Sequence, residues 1–186
     1  MNKRDHVLNG VVLAVGVAIV LGIAPSAGAG ADARTLPSAP LDALAAVGLL
    51  VAEFFVPVVL GALFPDVDTA FGKHRKTLHN GFVVAVFVAY PFVFDNLHFV
   101  WLGVASHLVL DVAGSARGIA LFYPLTSEEY DLPGGVSTSS RYATPLTVAI
   151  TLAEVGLIAA VHYYVVPLDT AGQTIQQVAA QIGALL

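Results

Sequence analysis

The sequence has no cysteine and very little charge. The lack of cysteine excludes disulfides, thiolate metal sites, iron–sulfur clusters and cysteine nucleophiles, so any metal ligands must be His, Asp or Glu. Charged residues make up 11% of the 186 residues, against about 25% in soluble domains. Hydrophobic residues make up 57% and the mean hydropathy is +0.81. A water-soluble globular protein is therefore excluded.

Several other features are also missing. The formal net charge is −5, from 13 acidic and 8 basic residues, so no basic stripe is available to bind nucleic acid. The chain contains no His-Glu-x-x-His, no Gly-x-Ser-x-Gly and no glycine-rich phosphate loop. These absences argue against intramembrane zinc proteases of that type, serine hydrolases and ATP-driven enzymes.

Five apolar stretches are the main positive feature of the sequence. A membrane-spanning helix needs about 20 mainly apolar residues. The third and fourth stretches are separated by Asp95 and Asn96, which predicts a helical hairpin with a polar tip. The stretches are residues 7–24, 41–64, 82–94, 97–113 and 143–168.

These stretches predict an all-α fold, a polytopic bundle of about five transmembrane helices that forms a single integral membrane domain over residues 1–186. After the fifth stretch, residues 170–186 place apolar and Gln side chains on opposite faces of a predicted amphipathic helix.

Basic residues in the short loops predict the orientation of the bundle. With the amino terminus in the cytoplasm, the cytoplasmic side carries seven of the eight Lys and Arg residues, and the other side carries only Arg34. We therefore expect a multi-pass cell-membrane protein with a cytoplasmic amino terminus. An alternative interpretation takes residues 1–33 as a secretory signal, since Lys3 and Arg4 precede an apolar run and Ala29-Gly30-Ala31 resembles a cleavage site.

Seven His and Asp residues fall on the cytoplasmic side of this topology. Ionisable residues within or beside membrane spans are costly, so they are candidates for a functional site. The orientation was predicted from Lys and Arg alone. That all seven His and Asp residues fall on one side of the membrane is therefore further support for a single site. We predict them as metal ligands: His6, Asp66, Asp68, His74, His79, His107 and Asp111.

The spacing of these residues suits a shared ion. His107 and Asp111 are four residues apart, which places both on one face of a helix. Asp66 and Asp68 follow a proline that ends the second stretch, where their hard oxygen ligands meet the membrane boundary. Taken singly, each has a structural interpretation, such as a helix cap for the carboxylates or an interhelical hydrogen bond for His107.

The combination of motifs resembles the YdjM-like family of small membrane-bound proteins, described as predicted metal-dependent hydrolases. The resemblance covers roughly residues 6–125 and implies a metal ion and hydrolysis. At Leu78-His79-Asn80 the chain departs from the more usual Thr-His-Ser of the family. The matching segments are His6 to Gly10, Leu63-Phe64-Pro65-Asp66-Val67-Asp68, His74-Arg75 with His79, Ser106-His107-Leu108-Val109-Leu110-Asp111, and Gly118 to Tyr123-Pro124-Leu125.

The mixture of imidazoles and carboxylates predicts a divalent metal, zinc first, with manganese or iron also suited to it. Seven candidate ligands exceed the need of one tetrahedral zinc, so one or two ions are expected. We assign catalytic roles to two residues. Asp68 would accept a proton from the attacking water, and Arg75, whose guanidinium can bind an oxyanion, would stabilise the developing negative charge.

The sequence thus predicts a metal-dependent hydrolase at the cytoplasmic membrane boundary, acting on a lipid-linked ester or phosphoester. Its expected partners are membrane lipids and not nucleic acid, and its oligomeric state is left open. Two alternatives belong to other classes. One is a structural or regulatory membrane protein. The other is a metal-ion or proton transporter that uses Glu53, His107, Asp111, Glu154 and His162.

Overall fold

The computed structural model describes residues 1–23 and 40–165. Within these ranges the chain forms five α-helices and no strand, which confirms the predicted all-α class. The predicted tail helix at 170–186 lies outside the described residues. A 3₁₀ turn, Pro65–Ala70, follows the second helix. The helices are α1 (Lys3–Ile23), α2 (Pro40–Leu63), α3 (Gly81–Phe94), α4 (Val100–Gly114) and α5 (Ala143–Tyr164).

Three of the helices, α1, α2 and α5, are long and apolar enough to cross a membrane. They have 21, 24 and 22 residues. The apolar helices α3 and α4 have 14 and 15 residues, so they extend about 21 and 23 Å at 1.5 Å per residue, which is less than the roughly 30 Å of hydrocarbon. The predicted helical membrane bundle is confirmed, with three full-length helices and two shorter ones.

The predicted hairpin joins α3 to α4, but its connection is longer than the sequence suggested. The α3 helix ends at Phe94 and α4 begins at Val100, three residues later than the predicted position 97. Asp95 and Leu97 adopt positive φ angles of 51° and 58°. A right-handed helix cannot continue through such a conformation, so the chain turns at residues 95–99 before α4 starts.

Close helix contacts position α4 against α2. The small residues Gly61 of α2 and Gly103 of α4 lie at this contact, where a Cβ atom on Gly103 would lie 2.0 Å from the carbonyl oxygen of Val58. Small residues let helix backbones approach each other in membrane proteins. Phe54 and Val58 of α2 also pack with Leu13 and its neighbours on α1. The α1, α2 and α4 helices therefore meet tightly, and the residues they carry are held in fixed positions.

Replacing Gly103 by alanine should destabilise the protein. The new methyl group would meet the backbone of Val58, which cannot rotate away, and overpacking of this kind costs about 1–3 kcal/mol. We expect a lower unfolding temperature in detergent. Gly156→Ala is the matched control, because nothing lies within 4 Å of a Cβ at that position. Equal unfolding temperatures for the two variants would contradict the close contact between α2 and α4.

The segment between α4 and α5, residues 115–142, folds back on itself. Isolated bridges pair Ser115 with Val136 and Ile119 with Tyr130. At its exposed edge, Arg117 Nε and Nη2 donate to Glu129 at 3.1 and 3.2 Å. These hydrogen bonds from Arg117 hold the pKa of Glu129 below its ordinary value. The segment thus has defined structure, although it contains no regular strand.

Candidate metal centre

Three imidazole rings from distant parts of the sequence meet inside the bundle. His6 lies on α1, His107 on α4 and His79 just before α3, and all three are fully buried. The rings of His6 and His107 stack with centroids 3.6 Å apart and an interplanar angle of 11°. The centroid of His79 lies 4.9 Å from that of His107. The fold therefore brings together three of the predicted ligands.

The hydrogen bonds of two rings determine which nitrogen is free. His107 Nδ1 lies 2.6 Å from the carbonyl oxygen of Ala62, which can only accept, so Nδ1 carries the hydrogen. His79 Nδ1 lies 3.0 Å from Asp68 Oδ2 and donates to it in the same way. The Nε2 atoms of both rings are buried and have no hydrogen-bond partner within the described ranges, and the same holds for both nitrogens of His6. Each neutral ring thus presents an unused lone pair.

Two buried carboxylates face these lone pairs. Asp111 Oδ2 lies 3.5 Å from His107 Nε2 and 3.6 Å from His79 Nε2, while Asp111 Oδ1 lies 3.5 Å from His6 Nε2. Asp66 Oδ1 lies 3.6 Å from His79 Nε2 and 4.0 Å from His107 Nε2. Contacts of this length are not good hydrogen bonds.

Lone pairs and carboxylates in this arrangement repel one another unless a proton or a metal ion lies between them. Zinc bonds of about 2.0–2.2 Å in a tetrahedral site separate neighbouring ligand atoms by about 3.4 Å, close to the separations found here. Other divalent ions are suited by the same donor types. The amino group of Met1 also forms an ion pair with Asp111 Oδ1.

Buried His and Asp groups of this protein can therefore hold a metal ion, as the sequence predicted. Three overlapping sets each place one ligand atom per residue within 4.8 Å of the others. Six of the seven predicted ligands belong to these sets; Asp68 does not. The sets are His6, Asp66 and His107; His79, His107 and Asp111; and Asp66, His74 and His79.

Asp68 lies behind the imidazoles, on the side away from the free nitrogens. Its Oδ1 lies 3.0 Å from His74 Nδ1 and its Oδ2 lies 3.0 Å from His79 Nδ1. The backbone N–H of Leu78 donates to Oδ2 at 3.3 Å. Because its two oxygens bind the far edges of two rings, Asp68 is placed to orient them. The ring of His74 is 44% exposed, so it connects this buried pair to the surface.

Arg75 makes contacts that the sequence did not suggest. Its Nη1 donates to the carbonyl oxygen of Arg117 and, at 3.3 Å, to that of Gly118, while its Nη2 donates to Ser115 Oγ at 3.1 Å. The side chain is buried and attaches the loop before α3 to the segment after α4. This geometry gives no support to the predicted charge-stabilising role, because the guanidinium is already occupied by the protein.

The family model of the YdjM inner membrane proteins matches residues 1–180 of the chain. The chain belongs to the YdjM inner membrane protein family. No curated protein and no solved structure matches it. The family description and the apolar helices agree on a membrane location, which confirms the coarser part of the predicted localisation. The cytoplasmic orientation of the amino terminus stays a prediction.

The structure shows how this YdjM-family chain accommodates its departure from the more usual family residues at 78–80. Asn80 caps α3, since its Oδ1 accepts the N–H of Val83 at 3.1 Å. Its Nδ2 donates to the carbonyl oxygens of Lys76 and Thr77 at 2.8 and 3.0 Å. Asn and Ser are comparable helix caps, so Asn80 can begin the helix as a serine would and hold His79 next to it.

This YdjM-family bundle contains a second polar cluster that was not predicted from the sequence. Asn9 of α1 and Ser106 of α4 contact each other and Glu154 of α5. One signal was available, because Asn9 is a lone amide in an otherwise apolar stretch and lies three residues after His6. Glu53, the other glutamate predicted for an ion pathway, is exposed on the outside of α2 and takes no part in this cluster.

Proposed function

We propose that this protein is a membrane-embedded metal-dependent hydrolase that acts on a lipid-linked ester or phosphoester at the cytoplasmic boundary of the membrane. One observation carries the proposal. Three buried imidazoles direct unused Nε2 lone pairs at two buried carboxylates, at distances that suit a shared cation. Membership of the YdjM family supports the membrane setting, and the imidazole–carboxylate donor set supports the metal.

The residues divide into ligands and supporting groups. Nε2 of His6, His79 and His107, with the carboxylates of Asp66 and Asp111, would hold the ion. Zinc suits this donor set, and manganese or iron would use more of the five ligands. The three ligand sets share members, so they could together hold one ion or two. Such an ion supplies a Lewis acid and lowers the pKa of the water it coordinates.

Asp68 and His74 would support the same reaction without binding the ion in the main ligand set. Asp68 fixes the ring of His79, because a carboxylate on Nδ1 keeps Nε2 free and directed at the ion. His74 is partly exposed and shares Asp68, so it is placed to pass a proton between solvent and the buried pair. Arg75 would hold the loop that carries both histidines, through its bonds to residues 115–118.

The surroundings of the site favour a lipid-linked substrate. Val67 and Phe71, on and beside the 3₁₀ turn that carries Asp66 and Asp68, are 49% and 67% exposed, and Phe82 next to the His79 loop is 68% exposed. Exposed apolar side chains beside a polar site are suited to contact acyl or prenyl chains. The charge asymmetry of the loops predicts that this end of the bundle faces the cytoplasm.

The experiment is a turnover assay in mixed micelles with three probes: a lipid phosphomonoester, a phosphodiester phospholipid and a lipid carboxylic ester. We expect hydrolysis of one class, loss of hydrolysis on chelation, and recovery when zinc or manganese is returned. The chelated protein must remain helical and monodisperse, so that loss of activity is not loss of folding. Metal binding without turnover of any probe would refute the hydrolase and leave a structural or regulatory metal.

A transporter is the remaining alternative, and the same preparation separates it from an enzyme. A transporter should move metal ions or protons across proteoliposome membranes, and this flux should depend on Glu154. Flux without hydrolysis would assign the protein to transport. Hydrolysis without flux would support the enzyme.

A further inference from the structure

A polar cluster lies inside the bundle next to the metal centre and has no role in the proposed hydrolysis. Ser106 Oγ lies 2.5 Å from Glu154 Oε2 and 3.0 Å from Asn9 Oδ1. Asn9 Nδ2 lies 2.9 Å from Thr151 Oγ1 and 3.5 Å from Glu154 Oε2. Asn9, Ser106 and Thr151 are buried, and Glu154 Oε1 is buried without a hydrogen-bond partner within the described ranges.

The number of hydrogens available in this cluster limits the hydrogen bonds that its side chains can form. A serine hydroxyl has one hydrogen to donate, but Ser106 Oγ contacts two oxygens, one of Asn9 and one of Glu154. If its hydrogen goes to Asn9 Oδ1, the short contact with Glu154 Oε2 needs a hydrogen from the carboxyl group. In this arrangement the carboxyl group of Glu154 is protonated and donates to Ser106 Oγ.

The same side chains can also hydrogen-bond Oε2 of the ionised carboxylate. If the amide of Asn9 turns over, Nδ2 donates to Ser106 Oγ, and Ser106 donates its hydrogen to Glu154 Oε2. Thr151, whose hydroxyl now donates to the carbonyl oxygen of Thr147 at 2.8 Å, can donate to Asn9 Oδ1 instead. The amide oxygen and nitrogen have nearly the same shape, so this exchange needs no movement of the helices.

The groups around Glu154 offer no permanent counter-charge. No Lys or Arg of the described residues pairs with it. The buried titratable side chains on the packed helices are Asp5 and His6 on α1, His107 and Asp111 on α4, and His162 on α5 itself, while Lys3 and Arg4 of α1 are exposed. A permanently ionised carboxylate without a counter-charge is costly in a membrane interior, whereas a carboxyl group that can take up a proton is not.

We propose that Glu154, Ser106, Asn9 and Thr151 form a proton-binding site inside the membrane, separate from the metal centre. Loading forms one O–H bond at Glu154 Oε2 with a proton taken from water, and unloading returns that proton to water. The reversal of the hydrogen-bond chain lets both forms exist without an unpaired group on Asn9 or Ser106. Asn9 follows His6 on α1 and Ser106 precedes His107 on α4, so the site joins the two helices that carry these histidines.

The test is infrared difference spectroscopy of the full chain in nanodiscs, titrated from acid to alkaline pH. We expect the carbonyl band of a protonated carboxylic acid that weakens as the pH rises and is lost in Glu154→Gln. Gln keeps the shape and the hydrogen bond to Ser106, so the variant should fold. The control is Glu53→Gln, which replaces an exposed glutamate and should keep the band.

A second variant keeps the proposal testable if Glu154→Gln folds poorly. Ser106→Ala leaves the carboxyl group in place but removes its nearest partner, so the pH at which the band disappears should shift. A band that persists unchanged in Glu154→Gln, or the absence of any such band across the titration, would overturn the proposal. Because the band reports a carboxyl group and not turnover, failure of the hydrolase and failure of the proton site are distinguished. The band is measured in both metal-loaded and metal-depleted protein.

Discussion

A His107→Ala, Asp111→Ala double variant should lose the metal that the intact chain binds, falling from roughly one or two ions per chain to almost none. The two residues lie one turn apart on α4, and His107 Nε2 is 3.5 Å from Asp111 Oδ2. Between them they belong to two of the three sets that could hold an ion. Their removal leaves only the set of Asp66, His79 and the partly exposed His74 complete. His6 stays but loses its contacts with His107 and Asp111, so tight binding should be lost.

The loss should be specific to the buried pair. Asp95 and His98 are a second Asp and His in close contact, with Oδ1 and Nε2 also 3.5 Å apart, but their side chains are 95% and 44% exposed. An Asp95→Ala, His98→Ala double variant therefore removes the same residue types from the hairpin tip and should keep all the metal. Elemental mass spectrometry of detergent-purified protein measures both, and circular dichroism confirms the folding. Equal metal contents in the two variants would contradict the site.

Asp68→Asn should lower metal affinity by about 10–100-fold, the usual effect of removing a carboxylate that orients a histidine ligand. Asn has one oxygen that can accept a hydrogen bond, whereas Asp68 accepts from both His74 and His79. One imidazole must lose the oxygen that accepts from its Nδ1, and if this is His79, its ring must rotate or change tautomer. The chain should still bind metal, because Nε2 of the three buried rings and the two facing carboxylates remain.

Competition with a chromogenic chelator measures this affinity, with Asp95→Asn as the matched control at an exposed position. The size of the change distinguishes two roles for Asp68. A loss of all binding by a folded variant would make Asp68 a ligand, as the sequence predicted. An unchanged affinity would contradict the orienting role. The thermal unfolding of both variants is compared so that a change in affinity is not mistaken for a change in stability.

Much of this site was predictable from local sequence. His107 and Asp111 share a helix face because the period of an α-helix places residues i and i+4 together. Asp66 and Asp68 lie at a helix end because a proline and a polar run follow the apolar stretch. The roles of these residues were harder to predict. Asp66 faces the free nitrogens, whereas Asp68, two residues later, binds the opposite ring edges, and this difference depends on the 3₁₀ turn that carries them.

The contacts of Arg75 and Glu154 were also not predictable from local sequence. Arg75 lies between two histidines in the sequence, but its guanidinium reaches carbonyl oxygens more than 40 residues away. Glu154 and Glu53 both interrupt apolar stretches, but only Glu154 faces other helices. Periodicity identifies a helix, but it does not choose which face meets a neighbour when nearly all faces are apolar.

The sequence by itself determined that this protein is a helical membrane protein with a polar site made of His and Asp, because apolar length and the absence of cysteine leave few alternatives. The tertiary structure decided which lone pairs are free, which carboxylate faces them and which supports them, and where Asn9 and Ser106 meet Glu154. The contacts between helices join residues 45 to 145 positions apart, and such contacts are set by helix packing and not by local pattern. Asp68 reaches His74 and His79 over only 6 and 11 positions, but the turn of the chain decides which ring edges it meets.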